Sequence, residues 1–142
     1  MRRIAGICPV LLMALLPACG EESGPQGPSL EVSITTPTVL ERDGVQECYY
    51  TVMARLEGAE SARWLFGSSA HRSANGLESE ERFSDEAGFQ EAWGGVELQG
   101  LASRGVGRSV SLETPRVGWE ALEAWMVLVG TDTLQAQARR QC

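Results

Sequence analysis

The chain has 142 residues, with 12 basic and 19 acidic side chains, a formal net charge of −7 and 43% hydrophobic residues. This length suits one domain with a single modest core. Because nucleic acids require a basic protein face, the acidic balance argues against nucleic-acid binding. It also argues against electrostatic attachment to anionic lipid.

The first element in the chain has the layout of a secretory signal peptide. Arg2 and Arg3 precede an apolar run over residues 4–16. This run is too short to cross a bilayer as a helix, which requires about 20 residues. A buried N-terminal helix is the alternative, but Pro9 and Pro17 would interrupt it. We therefore predict that residues 1–18 are a signal peptide.

The residues at the end of the run, Leu16-Pro17-Ala18-Cys19, resemble the lipobox of bacterial lipoproteins. The resemblance implies that diacylglycerol alkylates the Cys19 thiol and that the peptide is cut before this cysteine. It also implies that the new amino group takes a further acyl chain such as palmitate. Two or more acyl chains hold a protein stably at a membrane. The alternative is ordinary secretion with a free Cys19, and Pro17 departs from the alanine or serine usual in the family.

The residue after the cysteine bears on the destination that this resemblance implies. Gly20 is not the aspartate that retains many enterobacterial lipoproteins in the inner membrane. The resemblance therefore implies a lipid-anchored protein of the cell envelope at the outer membrane.

Residues 19–29 are predicted to form a lipidated, disordered tether. The sequence GEESGPQGPS has no apolar side chain except proline. Such a segment buries too little surface to offset the conformational entropy of the chain. The folded domain is predicted over residues 30–142.

From Leu30 onward, apolar residues recur at every second position, as in strands with one buried face. Pro37 is predicted to end or kink the first strand at a sheet edge. Asn75-Gly76 predicts a tight turn, and SRGVGR predicts another turn. The segments with strand-like patterns are LEVSITT, QECYYTVMARL, SARWLFGSS, LESEERF, VELQGLA and RSVSLET.

The segment SDEAGFQEAWGG breaks this pattern and predicts a short helix. Ser84 would cap the helix, Phe89 and Trp93 would stack four residues apart, and Gly94-Gly95 would end it. The C-terminal residues are compatible with one helix, because alanine, leucine and glutamate are good helix formers. Their β-branched residues and alternation favour two strands instead.

Two of the four cysteines are predicted to form a disulfide. Cys8 leaves with the signal peptide and Cys19 takes the lipid, which leaves Cys48 and Cys142. An even number of cysteines in an oxidising compartment favours a bridge, and both lie on the apolar side of their strands. Two unpaired buried thiols are the alternative.

About seven short strands with regular turns predict an all-β sandwich. Cys48 followed by Trp64 in the next strand is similar to the Ig-like or fibronectin-like domains of uncharacterised bacterial lipoproteins. The resemblance implies an Ig-like antiparallel β-sandwich with one short helix. Cys142 follows the last predicted strand, whereas antibody domains place the second cysteine in the penultimate one.

His71 is the single histidine and lies near Ser68 and Ser69. This segment lacks the Gly-x-Ser-x-Gly turn of a serine nucleophile, and we predict that His71 is a solvated loop residue. One histidine and a bridged cysteine pair do not form the usual zinc site. The sequence therefore predicts no catalytic residue, metal or cofactor.

Carboxylates cluster along the predicted edge strand and the helix start, without the spacing of a calcium loop. We predict that they form a solvated acidic edge that discourages edge-to-edge pairing. The four tryptophans are predicted to lie in the core, as aromatic residues on strands usually do. The alternative is a binding patch, for which Trp119 is the best candidate because it follows Gly118 at a strand start. The acidic cluster comprises Glu78, Glu80, Glu81, Asp85 and Glu86.

Together these features predict a lipid-anchored, non-catalytic envelope module that binds a protein partner or has a structural role. The alternative is a small envelope hydrolase that uses the acidic cluster or His71. A concave pocket with two convergent titratable groups would favour the hydrolase.

Overall fold

A computed structural model describes residues 26–73, 76–111 and 119–142. The signal peptide, Cys19, most of the tether and Asn75 lie outside the described residues, as does the side chain of Glu78. Within the described part of the chain, no helix is both long and apolar enough to cross a membrane.

Nine strands and one helix make up the described fold. In chain order they are β1 (Ser29–Ile34), β2 (Thr38–Arg42), β3 (Val45–Glu57), β4 (Ala62–Ser73), β5 (Gly76–Phe83), α1 (Glu86–Trp93), β6 (Glu97–Leu98), β7 (Leu101–Ser111), β8 (Glu120–Val129) and β9 (Asp132–Gln141).

The strands form two antiparallel sheets. In the first sheet, β3 pairs with β1 and β2 along one edge and with β7 along the other. In the second sheet, β4 pairs with β5 and β6 along one edge and with β8 along the other, and β9 follows β8. With β1 and β2 taken as one interrupted strand, and β5 and β6 as another, seven strand positions result. This arrangement confirms the predicted all-β antiparallel sandwich with one short helix.

Pro37 interrupts the edge strand of the first sheet, as predicted. Ile34 pairs with Val52, and Thr38 pairs with Tyr49. Three residues on the edge therefore face two on β3, which is the signature of a bulge. Proline is tolerated here because an edge strand can lose a ladder hydrogen bond.

The predicted turn in SRGVGR is wrong, because this segment lies within the continuous strand β7. The strand pairs with β3 along its whole length, from Leu101 to Ser111. Gly107 serves packing instead of turning, since a Cβ there would lie 2.9 Å from the Tyr49 ring. Pairing with a long neighbouring strand overrides the local glycine signal.

The two C-terminal strands are confirmed as β8 and β9, which pair as a hairpin through Gly130. The predicted disulfide is also present and joins Cys48 in the first sheet to Cys142 after β9 in the second. Cys48 is fully buried. A bridge that closes so long a loop stabilises a fold by about 4 to 5 kcal/mol in the chain-entropy model.

Helix α1 begins one residue later than predicted. Asp85, not Ser84, is the N-cap, and its Oδ1 accepts a hydrogen bond from the Gly88 amide at 2.8 Å. Both residue types cap helices well, so the local sequence does not decide between them. The predicted stop is correct, because Gly94 adopts a left-handed conformation and donates its N–H to the Gln90 carbonyl.

Candidate binding groove

One half of the core is aromatic. The Trp64 ring stacks on Trp93 of α1 with 4.8 Å between centroids, and Trp125 meets both edge-on at 5.4 and 4.9 Å. Phe89, four residues before Trp93, also stacks on Trp64. Stacked and edge-to-face pairs add stability beyond the area that they bury. The predicted spacing within α1 thus places the helix against the sandwich.

The other half of the core contains a buried polar cluster centred on Glu123, which the sequence analysis did not identify. Glu123 of β8 is 2% exposed. Its carboxylate accepts hydrogen bonds from Tyr50 Oη at 3.1 Å, Ser69 Oγ at 2.6 Å and Trp125 Nε1 at 2.8 Å. Burial raises the pKa of Glu123, and the three donors oppose that effect.

His71 belongs to this cluster, and its prediction as a solvated loop residue is wrong. It lies in β4, is 1% exposed, and its ring centroid is 5.8 Å from those of Tyr50 and Trp119. Burial, assisted by the charge of Arg108, lowers the pKa of His71 to about 4. Strand alternation turns this side chain inward although its sequence neighbours are polar.

Trp119 is 5% exposed, which agrees with the expectation of a core aromatic and not with the alternative of a binding patch. It contacts His71 at the polar end of the core. Its backbone carbonyl accepts a hydrogen bond from the Cys142 amide at 3.0 Å. Trp119 is therefore part of the packed interior beside the last residue of the chain and does not form a surface patch.

Arg108 of β7 links the polar cluster to the surface. Its Nη2 donates to Glu81 Oε2 at 2.6 Å and to Ser69 Oγ at 3.2 Å. The hydrogen bond from Arg108 lowers the pKa of Glu81 and raises that of the guanidinium. The Arg108 side chain is 15% exposed and the Glu81 side chain is 49% exposed, so the ion pair is shielded on the arginine side and open to solvent on the glutamate side.

Arg104 lies four residues before Arg108, on the same face of β7. Its guanidinium carbon is 4.9 Å from the centre of the Phe83 ring and 5.5 Å from that of Trp125. Its Nη2 is 3.8 Å from Glu81 Oε2, and its side chain is 10% exposed. Contacts with aromatic faces stabilise a guanidinium where water is scarce. Arg104 thus connects the aromatic half of the core to the same carboxylate that binds Arg108.

The predicted acidic edge is only partly solvated. Glu80 is on the exposed side of β5, where it accepts hydrogen bonds from Ser68 and Arg82. Glu81 instead reaches the arginines of β7, and Asp85 caps α1. Glu86 forms an exposed ion pair with Arg63 at 3.3 Å. The four members whose side chains are described therefore have separate roles and do not assemble into one acidic site.

A groove of about 520 Å³ follows the two buried arginines between β5 and β7. Consecutive residues of both strands line it. Because successive side chains of a strand point to opposite faces of the sheet, the groove lies along the edges of these strands. We call it the arginine groove. It is lined by residues 81–83 of β5, Gly88, Glu91 and Ala92 of α1, and residues 104–108 of β7.

The structure does not bring the predicted catalytic candidates to this groove. Among its lining residues, Glu81 is the single member of the acidic cluster, and His71 is not one of them. Within the described residues, no group of three histidine, cysteine or acidic side chains is arranged to hold a metal ion. The chemistry available at the groove is therefore that of arginine, glutamate and strand backbone.

Fold and site together define an all-β sandwich protein with an arginine-lined groove. No protein-family model matches the chain, and no curated protein matches it. Its structure is similar to the X-ray structure of Northeast Structural Genomics Consortium target SoR45, with 15% sequence identity and a TM-score of 0.49. The match covers 80% of this chain and 87% of that one. Function therefore rests on the residues of the groove themselves.

Proposed function

We propose that this chain is a lipid-anchored, non-catalytic binding module of the bacterial cell envelope. The observation that supports binding is the arginine groove, where two largely buried guanidinium groups lie beside an open surface. Strands hold these groups in place through Glu81 and the aromatic rings. A groove with a few convergent polar groups on rigid elements suits ligand recognition.

The membrane part of the proposal rests on the lipobox resemblance at Cys19. A predicted tether of about ten residues between Cys19 and β1 would reach at most about 33 Å. The sandwich would then remain close to the headgroups, and the resemblance favours the outer membrane.

The surroundings of Ser69 and His71 favour binding over the alternative, a hydrolase. Ser69 is fully buried, and its hydroxyl donates to Glu123 at 2.6 Å. His71 is also buried, whereas a general base must reach the proton that it removes from the substrate or nucleophile. Glu81 is bound by Arg108, whose hydrogen bond lowers the pKa of the carboxyl. That direction does not suit a general acid.

Intact mass of the membrane-extracted protein tests the anchor. We expect the full-length gene to yield a membrane-bound product that begins at Cys19 and is heavier than the polypeptide by its acyl chains. The matched Cys19→Ser variant should lose both the added mass and the membrane association. A wild-type product that washes off in aqueous buffer, or that retains residues 1–18, would contradict the proposal.

Affinity capture from detergent extracts of the native envelope tests the binding role. A partner protein should be recovered with the wild-type chain. The Cys19→Ser variant separates capture by the domain from capture through the membrane. Hydrolytic activity without any recovered partner would favour the enzyme instead.

A further inference from the structure

We propose that the arginine groove binds an extended, carboxylate-bearing peptide segment of a partner, with Arg104 and Arg108 holding the carboxylate. This inference rests on the proposed binding function and specifies the ligand of that same site. It draws on the two arginines that line the groove, the charge of the lining residues and the strand edges that border it.

Both guanidinium groups keep hydrogen-bond donors that the described residues do not satisfy. Arg104 Nη1 and Arg108 Nε lie inside the protein without an acceptor among the described residues, so a ligand in the groove would reach them only after a shift of the side chains. A buried donor that is left unpaired is destabilising by about 1 to 3 kcal/mol, and more when it is charged. A carboxylate is the acceptor that a guanidinium fork fits best, because two parallel charge-assisted bonds form.

The charge of the groove has the opposite sign to that of the protein. Arg82, Arg104 and Arg108 line it against two carboxylates, Glu81 and Glu91, so the lining residues sum to +1. The whole chain has a net charge of −7. A local positive site on an acidic protein attracts an anionic ligand, whereas the rest of the acidic surface repels it.

Glu81 shows that these arginines accept a carboxylate. One of its oxygens, Oε2, lies 2.6 Å from Arg108 Nη2 and 3.8 Å from Arg104 Nη2. The two guanidinium groups therefore converge on one small region, although their backbone positions are four residues apart on β7. Both arginines also interact electrostatically with the buried Glu123 carboxylate, so Glu81 shows how they bind a carboxylate and not a surplus of positive charge.

The strands around the groove favour an extended peptide as the source of that carboxylate. Among the described residues, β5 pairs with β4 alone and β7 pairs with β3 alone. The groove runs along the other edges of these two strands, where backbone donors and acceptors point outward. A peptide that adds to such an edge gains main-chain hydrogen bonds, and its alternate side chains face the same way as Arg104 and Arg108.

Fluorescence anisotropy with a defined probe tests this inference on the purified mature chain. The probe is a labelled heptapeptide of alternating serine and glutamate with blocked termini, and its control has glutamine in place of glutamate. We expect saturable binding of the glutamate probe that weakens as salt increases. The glutamine control should bind at least about tenfold more weakly, as expected for the loss of charge-assisted hydrogen bonds.

Variants locate the binding on the protein. Arg104→Met keeps an apolar side chain over Phe83 and should weaken the glutamate probe about tenfold or more. Arg104→Lys keeps the charge without the fork and should fall between wild type and Arg104→Met. Arg55→Met is the matched control, because Arg55 lies on the exposed side of β3 with 54% of its side chain accessible. It should bind the probe as wild type does. Circular dichroism on each variant separates lost binding from lost folding.

Three results would overturn the inference. They are equal binding of the glutamate and glutamine probes, equal binding by folded Arg104→Met and wild type, and tighter binding of an oligogalacturonate than of the peptide. The last would assign the site to an acidic glycan. None of them changes the acyl mass at Cys19 or the capture of an envelope partner, so failure of the inference can be told from failure of the proposed function.

Discussion

Strand β4 runs through two halves of the core that are stabilised in different ways. At one end, Trp64 packs among the rings of α1 and β8. At the other end, Ser69 and His71 lie in the polar cluster with Glu123. Aromatic burial depends little on pH, whereas each buried polar group depends on its partners and its protonation state. The comparison indicates that the aromatic half contributes stability that depends little on pH and that the polar half contributes stability that depends on protonation. Both halves contact the arginines of the groove.

The largest effect should come from the aromatic half. Trp64→Ala removes a fully buried ring that stacks on Trp93 and Phe89. We expect it to lower the free energy of unfolding by about 3 to 5 kcal/mol, as for other buried aromatic residues. Urea denaturation followed by fluorescence measures the change. Leu101→Ala is the control, because Leu101 is 53% exposed, and it should stay within about 0.5 kcal/mol of wild type. Similar losses for both variants would contradict the comparison.

The polar half should make stability depend on pH through His71. Its pKa is lowered from 6.5 to about 4 in the fold. As pH falls below 6.5, the unfolded chain therefore binds a proton before the folded chain does. This contribution to stability is complete above pH 6.5 and is lost towards pH 4, by about 3 kcal/mol in total.

The variant His71→Phe isolates this effect from other titrating groups. A phenyl ring fits between Tyr50 and Trp119 as an aromatic residue of similar size, and it does not titrate. The difference in unfolding free energy between wild type and variant should shift in favour of the variant between pH 6.5 and 4. A constant difference across that range would show that His71 is not buried as a neutral ring.

The smallest effect should come from Glu123→Gln. An amide keeps one oxygen for Tyr50 and Ser69 but places an NH₂ group in the cluster, where Trp125 Nε1 also donates. We expect a loss of about 1 to 2 kcal/mol in unfolding free energy. Glu31→Gln, at an exposed position of β1, should have no measurable effect in the same denaturation experiment. Equal effects would place Glu123 outside any network that stabilises the fold.

The sequence predicts the sandwich well because strand alternation reports directly on which side of a sheet is buried. It predicts the bridge between the buried Cys48 and the half-buried Cys142 partly for the same reason. Glu123 lies on the same side of β8 as Ala121, Trp125 and Val127. Its position on an apolar face was a signal that could have identified it as buried. His71 was misjudged from its polar neighbours, which say little about direction within a strand.

The groove could not be predicted because its residues come from distant parts of the chain. On β7, Ala102, Val106 and the two arginines alternate with serine and glycine, so neither side of the strand is clearly apolar. Whether Arg104 and Arg108 point inward depends on Glu81, Phe83 and Trp125, which the fold supplies from β5 and β8. Only tertiary contacts decide such a position.

The bridge between Cys48 and Cys142 has a consequence for degradation. An endoprotease that cuts any peptide bond between these cysteines produces two fragments that remain one covalent molecule. Nicked protein would keep its full mass on a non-reducing gel and separate into pieces only after a reductant is added. Separation of the two fragments after a single cut would therefore require a thiol-dependent step as well as a protease.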